Sequence, residues 1–216
     1  MTCHAGIRWA RAARRLAPIA ILGGAALAGS CSIPLPKPSA DQTRHYVLTA
    51  VPPAEAAPAA ARRWVVGLRA VDVAGYLRNR SLAIRSQANE ILYQDFARWG
   101  EPLDEGVARV LADDLAAAPG VARVARPPFR GDEPRDCEVA VLVTACEGTA
   151  DGEVRFTANW RIQRASGSAG PAGTYTAAGL HWDRHDDGQL AARLSEAVAG
   201  LGRQIAEALS RETPGS

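Results

Sequence analysis

Apolar and polar residues alternate along much of the chain, and alternation with a period of two predicts β-strands. Residues 64–73 are rich in β-branched side chains, and we expect most of their apolar set to face the core: Val66, Leu68, Ala70 and Val73. The same grounds predict strands at residues 45–48, 64–73, 81–87, 90–96, 121–125, 137–146, 154–164 and 174–182. Short turns between the last three predict a meander, and Ala88-Asn89 predicts a hairpin between the third and fourth strands.

Two other segments carry their apolar residues at helical spacing. The first begins after Pro102 and ends at Pro119-Gly120, and its apolar stripe is Leu103, Val107, Val110, Leu111 and Leu115. The second covers residues 189–210, with a stripe of Leu190, Leu194, Ala197, Val198, Leu201, Ile205 and Leu209. Strands interrupted by helices predict a single-domain α+β (mixed α/β) fold, in which a mixed β-sheet buries the stripes of two long helices.

The N-terminal segment has the layout of a bacterial export signal. Four arginines precede an apolar run of about a dozen residues, shorter than the roughly 20 that span a bilayer. Small residues then lead to Cys31, and Ala28-Gly29-Ser30-Cys31 resembles the lipobox whose cysteine receives a diacylglycerol, although leucine is usual where Ala28 stands. We predict a lipoprotein signal peptide at 1–30 and a lipid anchor at Cys31. The alternative is an ordinary signal peptide cleaved near Ala28 or Ser30.

The chain beyond Cys31 divides into three parts. Residues 31–44 hold several prolines and predict an extended tether that rises about 3.1 Å per residue. Residues 45–210 form the predicted domain, and residues 211–216 form a tail that should fray. Ser32 stands where an aspartate commonly retains Gram-negative lipoproteins in the inner membrane, which favours the outer membrane and its periplasmic face.

Charge and cysteine content argue against nucleic acid as a partner and against a disulfide scaffold. The formal net charge is +2, and loss of the four signal arginines leaves −2, so a nucleic-acid partner loses its main support. Cys137 and Cys146 bound one predicted strand, whose nine steps separate them by roughly 30 Å, far beyond disulfide reach. We therefore predict two buried free thiols.

The sequence lacks the common catalytic, phosphate-binding and zinc-binding motifs, so we predict no enzyme, cofactor or metal. One polar cluster, His181 to Asp187, has the donor types of a metal site. A solvated loop in which Asp186 or Asp187 caps the following helix is the interpretation we prefer. Three further carboxylates are predicted to be solvated turn charges rather than a catalytic pair: Glu147, Asp151 and Glu153.

Four of the five tryptophans lie in the predicted mature chain. We predict core or edge packing for the three that fall on strands or at their ends: Trp64, Trp160 and Trp182. Trp99 falls in a predicted loop before the first helix, where it is a candidate anchor for a partner, because aromatic residues dominate interface hot spots. A hydrophobic contact that caps the helix is the alternative role.

An ordered set of short motifs runs through the predicted domain. Its members are Tyr46-Val47-Leu48, the strand at 66–73, Tyr76-Leu77-x-x-Arg80, Ile84-Arg85, Asn89-Glu90-Ile91 and Phe96-Ala97-Arg98-Trp99-Gly100-Glu101-Pro102-Leu103. Together with the final leucine-rich helix, this set resembles the ABC-type transport auxiliary lipoprotein family, the PqiC-like lipoproteins, over roughly residues 46–209. The family often has proline just before the Tyr-Leu pair, where this chain has Ala74-Gly75.

The resemblance implies a non-catalytic lipoprotein that works beside a periplasmic MCE-domain protein and an ABC permease and ATPase, or a PqiA-like membrane protein. It further implies movement of phospholipid or other hydrophobic molecules between the two membranes of Gram-negative bacteria. We accordingly expect acylated Cys31 to hold the domain to outer-membrane lipid, and Tyr76, Leu77 and Trp99 to lie where the MCE partner docks. A homo-oligomer would also suit a tunnel-shaped partner.

Two other classes of protein compete with this interpretation. A periplasmic carrier or binding protein for a lipid or other hydrophobic ligand would contain its own apolar cavity. A hydrolase would need a nucleophile and a base within hydrogen-bond reach, and the sequence offers no candidate pair.

Overall fold

The computed structural model describes residues 40–51 and 64–212. The strands are β1 (Arg44–Tyr46), β2 (Trp64–Leu68), β3 (Asp72–Val73), β4 (Ser81–Gln87), β5 (Glu90–Trp99), β6 (Val121–Ala125), β7 (Cys137–Thr149), β8 (Val154–Arg164) and β9 (Ala169–Thr176). The helices are a short 3₁₀ helix (Gly75–Arg78), α1 (Leu103–Ala117) and α2 (Asp187–Ser210). The predicted signal peptide, Cys31 and most of the tether lie outside the described residues.

The strands of the described residues form one mixed sheet in which β7 is central. β8 pairs antiparallel with one edge of β7, and β9 pairs with β8, which confirms the predicted meander. The other edge of β7 pairs in parallel with β2, β3 and β4 in turn. β6 lies beyond β2, while β5 and then β1 lie beyond β4. The predicted α+β class with a mixed sheet and two long helices is confirmed.

The core lies between one face of the sheet and the two helices. The buried residues of β8 occupy alternate positions, namely Val154, Phe156, Ala158, Trp160 and Ile162. α2 packs on β7, β8 and β9, and α1 packs on β3, β6 and α2. Every residue of the two predicted helical stripes is buried, and each large apolar side chain contributes about 1.5–3 kcal/mol. Within the described ranges, no helix is both long and apolar enough to cross a bilayer.

The single strand predicted at 64–73 is two strands in the structure. Leu68 pairs with Val139, and Asp72 pairs with Leu142. Asp72 is four residues after Leu68, but Leu142 is only three residues after Val139. The extra residue shifts the alternation between β2 and β3, as a bulge does. Ala70, which we expected to face the core, is therefore exposed, and Val71 is buried instead.

The last strand also differs from its prediction at 174–182. β9 begins at Ala169, inside a Gly- and Pro-containing stretch that reads as a turn in the sequence. Pro171 is tolerated because β9 is an edge strand and pairs on one side only, with β8. β9 ends before Gly179, whose φ of +71° turns the chain away from the sheet.

β4 and β5 form the predicted hairpin around Ala88-Asn89. β5 continues to Trp99, farther than predicted, because its C-terminal end pairs in parallel with β1. The prediction that Trp99 lies in a loop is thus wrong, since Trp99 is the last residue of β5 and pairs with Tyr46. The described residues from Asp41 onward form one compact unit.

Candidate functional site

The 3₁₀ helix Gly75–Arg78 holds Tyr76 beside the middle of β7. The Tyr76 hydroxyl lies 2.5 Å from Glu147 Oε2 and 3.2 Å from the Thr144 carbonyl oxygen. The Tyr93 hydroxyl of β5 donates a hydrogen bond of 2.9 Å to the Tyr76 carbonyl oxygen. The first residue of the Tyr-Leu motif thus joins β7 to the β4–β5 hairpin, and its side chain is half-buried.

Glu147 is the unexpected member of this group. We predicted a solvated turn charge, but β7 runs on to Thr149 and the Glu147 side chain is 0% exposed. Its Oε1 accepts a hydrogen bond of 2.5 Å from Arg85 Nε on β4. A buried carboxylate needs such partners, because an unpaired charge inside a protein costs several kcal/mol. The sequence signal that was available is that Glu147 directly follows the apolar run of β7.

Two members of this cluster, Tyr76 and Arg85, hold their protons more tightly than usual. Burial, followed by the hydrogen bond to Glu147, raises the pKa of the Tyr76 phenol well above its ordinary value. The hydrogen bond to Glu147 likewise raises the pKa of the Arg85 guanidinium. A catalytic acid or base works best with a pKa near the operating pH, and both shifts run away from neutrality. The cluster therefore orients side chains and ties the hairpin to β7.

The side chains of two of the three predicted docking residues are almost inaccessible to solvent. Leu77 and Trp99 are both buried, so they position the backbone beneath the surface rather than present side chains to it. The Trp99 backbone N–H donates to the Arg80 carbonyl oxygen at 2.6 Å, which holds the end of β5 to the start of β4. Of the predicted set, only Tyr76 retains an accessible part.

The exposed apolar side chains near this site come from β5. Leu92 is 54% exposed, Tyr93 is 38% exposed and Phe96 is 59% exposed. Tyr93 pairs with Ala83 and Leu92 pairs with Ile84, so they lie on opposite faces of the hairpin. Sequence reasoning missed these residues because strand alternation alone does not show which stretch of a sheet is left uncovered by helices.

The polar cluster from His181 to Asp187 is a helix cap. The Asp186 carboxylate accepts a 3.0 Å hydrogen bond from the Gln189 backbone N–H, as the preferred interpretation predicts. His181 forms an isolated bridge with Glu153 and does not join a ligand set. Throughout residues 40–51 and 64–212, no three His, Cys, Asp or Glu side chains are grouped as a metal site.

The two cysteines of β7 are buried free thiols, as predicted. Burial raises the pKa of the Cys137 thiol to about 12, and it raises the pKa of Cys146 further. Thiols with such values stay protonated at neutral pH and are poor nucleophiles. Cys137 and Cys146 therefore contribute to packing.

The wide cleft beside β7 and β8 is open and partly charged. It has a volume of about 740 Å³ and is bounded by Arg69, Asp72 and Arg161, together with Phe129 and Leu142. A site for a hydrophobic molecule is normally enclosed, with a predominantly apolar wall. This cleft is open rather than enclosed, and charged side chains of both signs stand among its apolar lining.

Comparison with known proteins gives the fold and the family. No curated protein sequence matches the chain significantly. The crystal structure of an uncharacterised protein has a TM-score of 0.63 and 17% identity, covering 77% of this chain and 98% of that one. A Xanthomonas campestris protein of the DUF330 family has a TM-score of 0.60 and 14% identity, covering 76% and 93%.

A dodecamer of PelC from Paraburkholderia phytofirmans is more distant, with a TM-score of 0.43 and 18% identity, covering 72% of this chain and 92% of that one. At these identities the first two structures show the fold alone. The sequence profile of the ABC-type transport auxiliary lipoprotein component family matches residues 46–206, which is well over half of the chain. The protein therefore belongs to the ABC-type transport auxiliary lipoprotein component family, as its motifs indicated.

Proposed function

We propose that the protein is the membrane-anchored docking subunit of an MCE/ABC-type, PqiABC-like lipid transport system, with no catalytic step of its own. The observation that carries this proposal is the family match over residues 46–206, which spans nearly all of the described domain. The protonation states of Tyr76, Arg85 and the two buried thiols support a binding role, because none of them suits acid–base or nucleophilic chemistry.

Anchoring would occur through acyl chains on Cys31. Each buried CH₂ contributes about 0.8 kcal/mol, and more than one chain is needed for a stable anchor. The Pro-rich tether then keeps the domain close to the outer membrane on its periplasmic side. This confinement raises the effective concentration of the docking surface for a partner that reaches the same membrane.

Docking would use the face of the hairpin that carries Tyr76 and Tyr93. The Glu147–Arg85 pair fixes Tyr76 from below, so its ring is presented with little loss of side-chain freedom on binding. Leu77 and Trp99 act beneath this surface as positioning residues. The occupant we assign is the MCE-domain protein of the transport system.

The alternative role as a carrier of lipid receives less support. A carrier must remove acyl chains from water, which requires an enclosed apolar cavity. The cleft of about 740 Å³ is open, and Arg69, Asp72, Glu138 and Arg161 stand among its lining residues. An adaptor needs no such cavity, so the packed core of this domain favours docking.

Affinity isolation of the full-length, C-terminally tagged protein from solubilised membranes tests the proposal. Mass spectrometry should find acylated Cys31, and the isolated material should contain an MCE-domain protein with its permease and ATPase or a PqiA-like protein. A Cys31→Ser variant, which lacks the acceptor thiol, should leave the membrane fraction. A bare Cys31, or isolated membranes with no MCE-domain protein, would contradict the proposal.

A matched pair of variants tests the docking face. Tyr93→Ala should weaken capture of the MCE partner about tenfold, equivalent to about 1.4 kcal/mol. Leu142→Ala is the control, because Leu142 is 42% exposed on β7 and lies outside the hairpin. Equal capture by both variants, with unchanged circular dichroism, would remove this face from the proposal.

A further inference from the structure

We propose that the free edge of β5 is a membrane-contact surface, in which Leu92 and Phe96 enter the interfacial layer of the bilayer that holds Cys31. This inference rests on the proposed lipid anchor. It assigns a second, weaker membrane contact to the folded domain itself and a fixed orientation to the domain on the membrane.

The first observation is where the exposed apolar residues lie. Six large apolar side chains of the described residues are exposed, and three of them lie within positions 92–96 of β5. β1 pairs only with Ala97, Arg98 and Trp99, so the earlier part of β5 has no further strand along its outer edge within the described residues. Leu92 and Tyr93 lie on opposite faces of the hairpin, and the Tyr93 hydroxyl is hydrogen-bonded to Tyr76, so Leu92 and Phe96 are the exposed apolar side chains that remain for this edge. Exposed apolar side chains on an uncovered strand edge are typical of a contact surface.

The second observation is the direction in which the chain leaves the domain. β1 is parallel to β5, with Arg44 opposite Ala97 and Tyr46 opposite Trp99. Residues 41–43, which precede Arg44, therefore lie toward the N-terminal half of β5, beside Phe96. Asp41, Gln42, Thr43 and Arg44 border one cleft of about 560 Å³ together with Phe96. The described residues nearest the predicted anchor in sequence thus lie beside Phe96.

The length of the tether then limits how far this edge can lie from the membrane. Only eight residues, 32–39, separate Cys31 from the first described residue, Ala40. At about 3.3–3.6 Å per residue, they span at most about 30 Å when fully extended. This bound applies to Ala40, and residues 41–44 continue from it to the cleft that Phe96 borders. The occupant we assign to Leu92 and Phe96 is therefore the bilayer that holds Cys31.

The side chains around this edge suit the boundary between lipid and water. Arg44 and Arg98 are exposed beside it, and arginine can bury its methylene stem while its guanidinium stays among headgroups. Asp41, Asp95 and Glu90 are also exposed and offset the arginines. Apolar insertion, rather than attraction to anionic lipid, should therefore drive the contact.

Fluorescence of the full-length lipidated protein in phosphatidylcholine vesicles tests this inference. Cys137 and Cys146 are buried, and Cys31 is acylated in the proposed mature form, so Phe96→Cys or Leu92→Cys introduces one accessible thiol. An environment-sensitive dye at either position should shift to the blue. Nitroxide-labelled lipids should quench it at least threefold more strongly than the same dye on Leu142→Cys, the control on β7.

Three outcomes would overturn the inference. Quenching at positions 92 and 96 no stronger than at 142 would place the edge away from lipid. A blue shift that appears only after the MCE-domain protein is added would assign this edge to protein docking. A shift that appears without vesicles as protein concentration rises would assign it to a second copy of the chain.

Failure of this inference can be told apart from failure of the proposed function. The acylation of Cys31 and the isolation of the transport partner are measured without any dye on β5. If both succeed while the dyes at 92 and 96 stay in water, only the membrane contact is wrong. If Cys31 is bare, the anchor itself is wrong, whatever the dyes report.

Discussion

The helix-covered core around β8 and the β4–β5 hairpin belong to one sheet, yet they are stabilised in different ways. In β8, alternate residues are buried under α2, and no large apolar side chain is exposed. In β5, Leu92, Tyr93 and Phe96 are exposed, and the strand is tied to β7 through Tyr76, Arg85 and Glu147. Both regions bury apolar side chains, and the hairpin buries Leu82, Ile84 and Trp99. The hairpin differs because a buried polar cluster also ties it to β7 and because part of β5 leaves apolar side chains exposed.

Truncation of Phe156 should produce the largest effect. Phe156 is fully buried, and its ring centroid lies 6.1 Å from that of Tyr175. Phe156→Ala should lower the free energy of unfolding by about 3–5 kcal/mol, through lost burial and a cavity. Urea denaturation measures this, with Phe96→Ala on the hairpin as control at about 0.5 kcal/mol or less. Similar decreases in the free energy of unfolding of both variants would contradict the proposed difference between the two regions.

Removal of the Glu147 carboxylate should have the next largest effect. Glu147→Ala leaves Arg85 without its partner and the Tyr76 hydroxyl without its acceptor, and should cost about 3 kcal/mol. Amide hydrogen exchange should rise most in β4 and β5, because the cluster ties the hairpin to β7. Glu147→Gln, which keeps the shape, should lose less. Exchange that rises evenly over the whole sheet would contradict a local role.

Loss of the Asp186 cap should have a moderate effect on the helix-covered region. Asp186→Ala removes the acceptor of the Gln189 backbone N–H at the start of α2, and should cost about 1 kcal/mol. Thermal unfolding measures the change, and Asp186→Asn should retain most of the stability because its side-chain oxygen still accepts. A cost that persists in the asparagine variant would indicate a charge effect instead of a cap.

The smallest predicted effect depends on pH. Burial is the main cause that raises the pKa of Asp114 on α1 to about 6, from 3.8 when unfolded. The folded state thus holds this proton more tightly, so stability falls as pH rises from about 4 through 6. Asp114→Asn can still accept from the Val51 backbone N–H and lacks that cost. It should therefore unfold at a slightly higher temperature than wild type at pH 7.5.

The melting temperatures of this variant and of wild type should converge below about pH 3, where the wild-type carboxyl is protonated in both the folded and the unfolded state. Differential scanning fluorimetry across this range measures the gap. A difference in melting temperature that widens toward low pH would contradict the raised pKa of Asp114. The pKa shifts of Tyr76 and Arg85 both run upward from values above this pH range, so neither group contributes to the gap.

Several elements could be predicted from local sequence alone, and their success has a common cause. The bounds of β4, β6 and β8 match their predictions, and both helical stripes are buried as expected. These segments are amphipathic with one period throughout, so the pattern and the packing agree. The bounds of β9 differ from the prediction because pairing with β8 determines where the strand begins and ends. Ala70 is exposed, contrary to the prediction, because the chain has one extra residue opposite β7 at this point.

Only some residues of the candidate site could be predicted from the sequence. Tyr76 could be singled out by its motif, but its carboxylate partner comes from a strand 71 residues away in the chain. Long-range pairing of that kind leaves no local periodic signal. The same limit applies to Trp99, whose burial depends on β1 pairing with the end of β5.

By itself, the sequence determined the apolar stripes of two helices, the hairpin and meander, the two buried thiols and membership of a lipoprotein family, because each depends on residue types at short spacing. Only the tertiary structure decided that Glu147 is buried against Arg85 and Tyr76, and that Leu92 and Phe96 lie on an uncovered edge beside the tether. The physical reason is that burial and charge pairing depend on which distant strand becomes a neighbour.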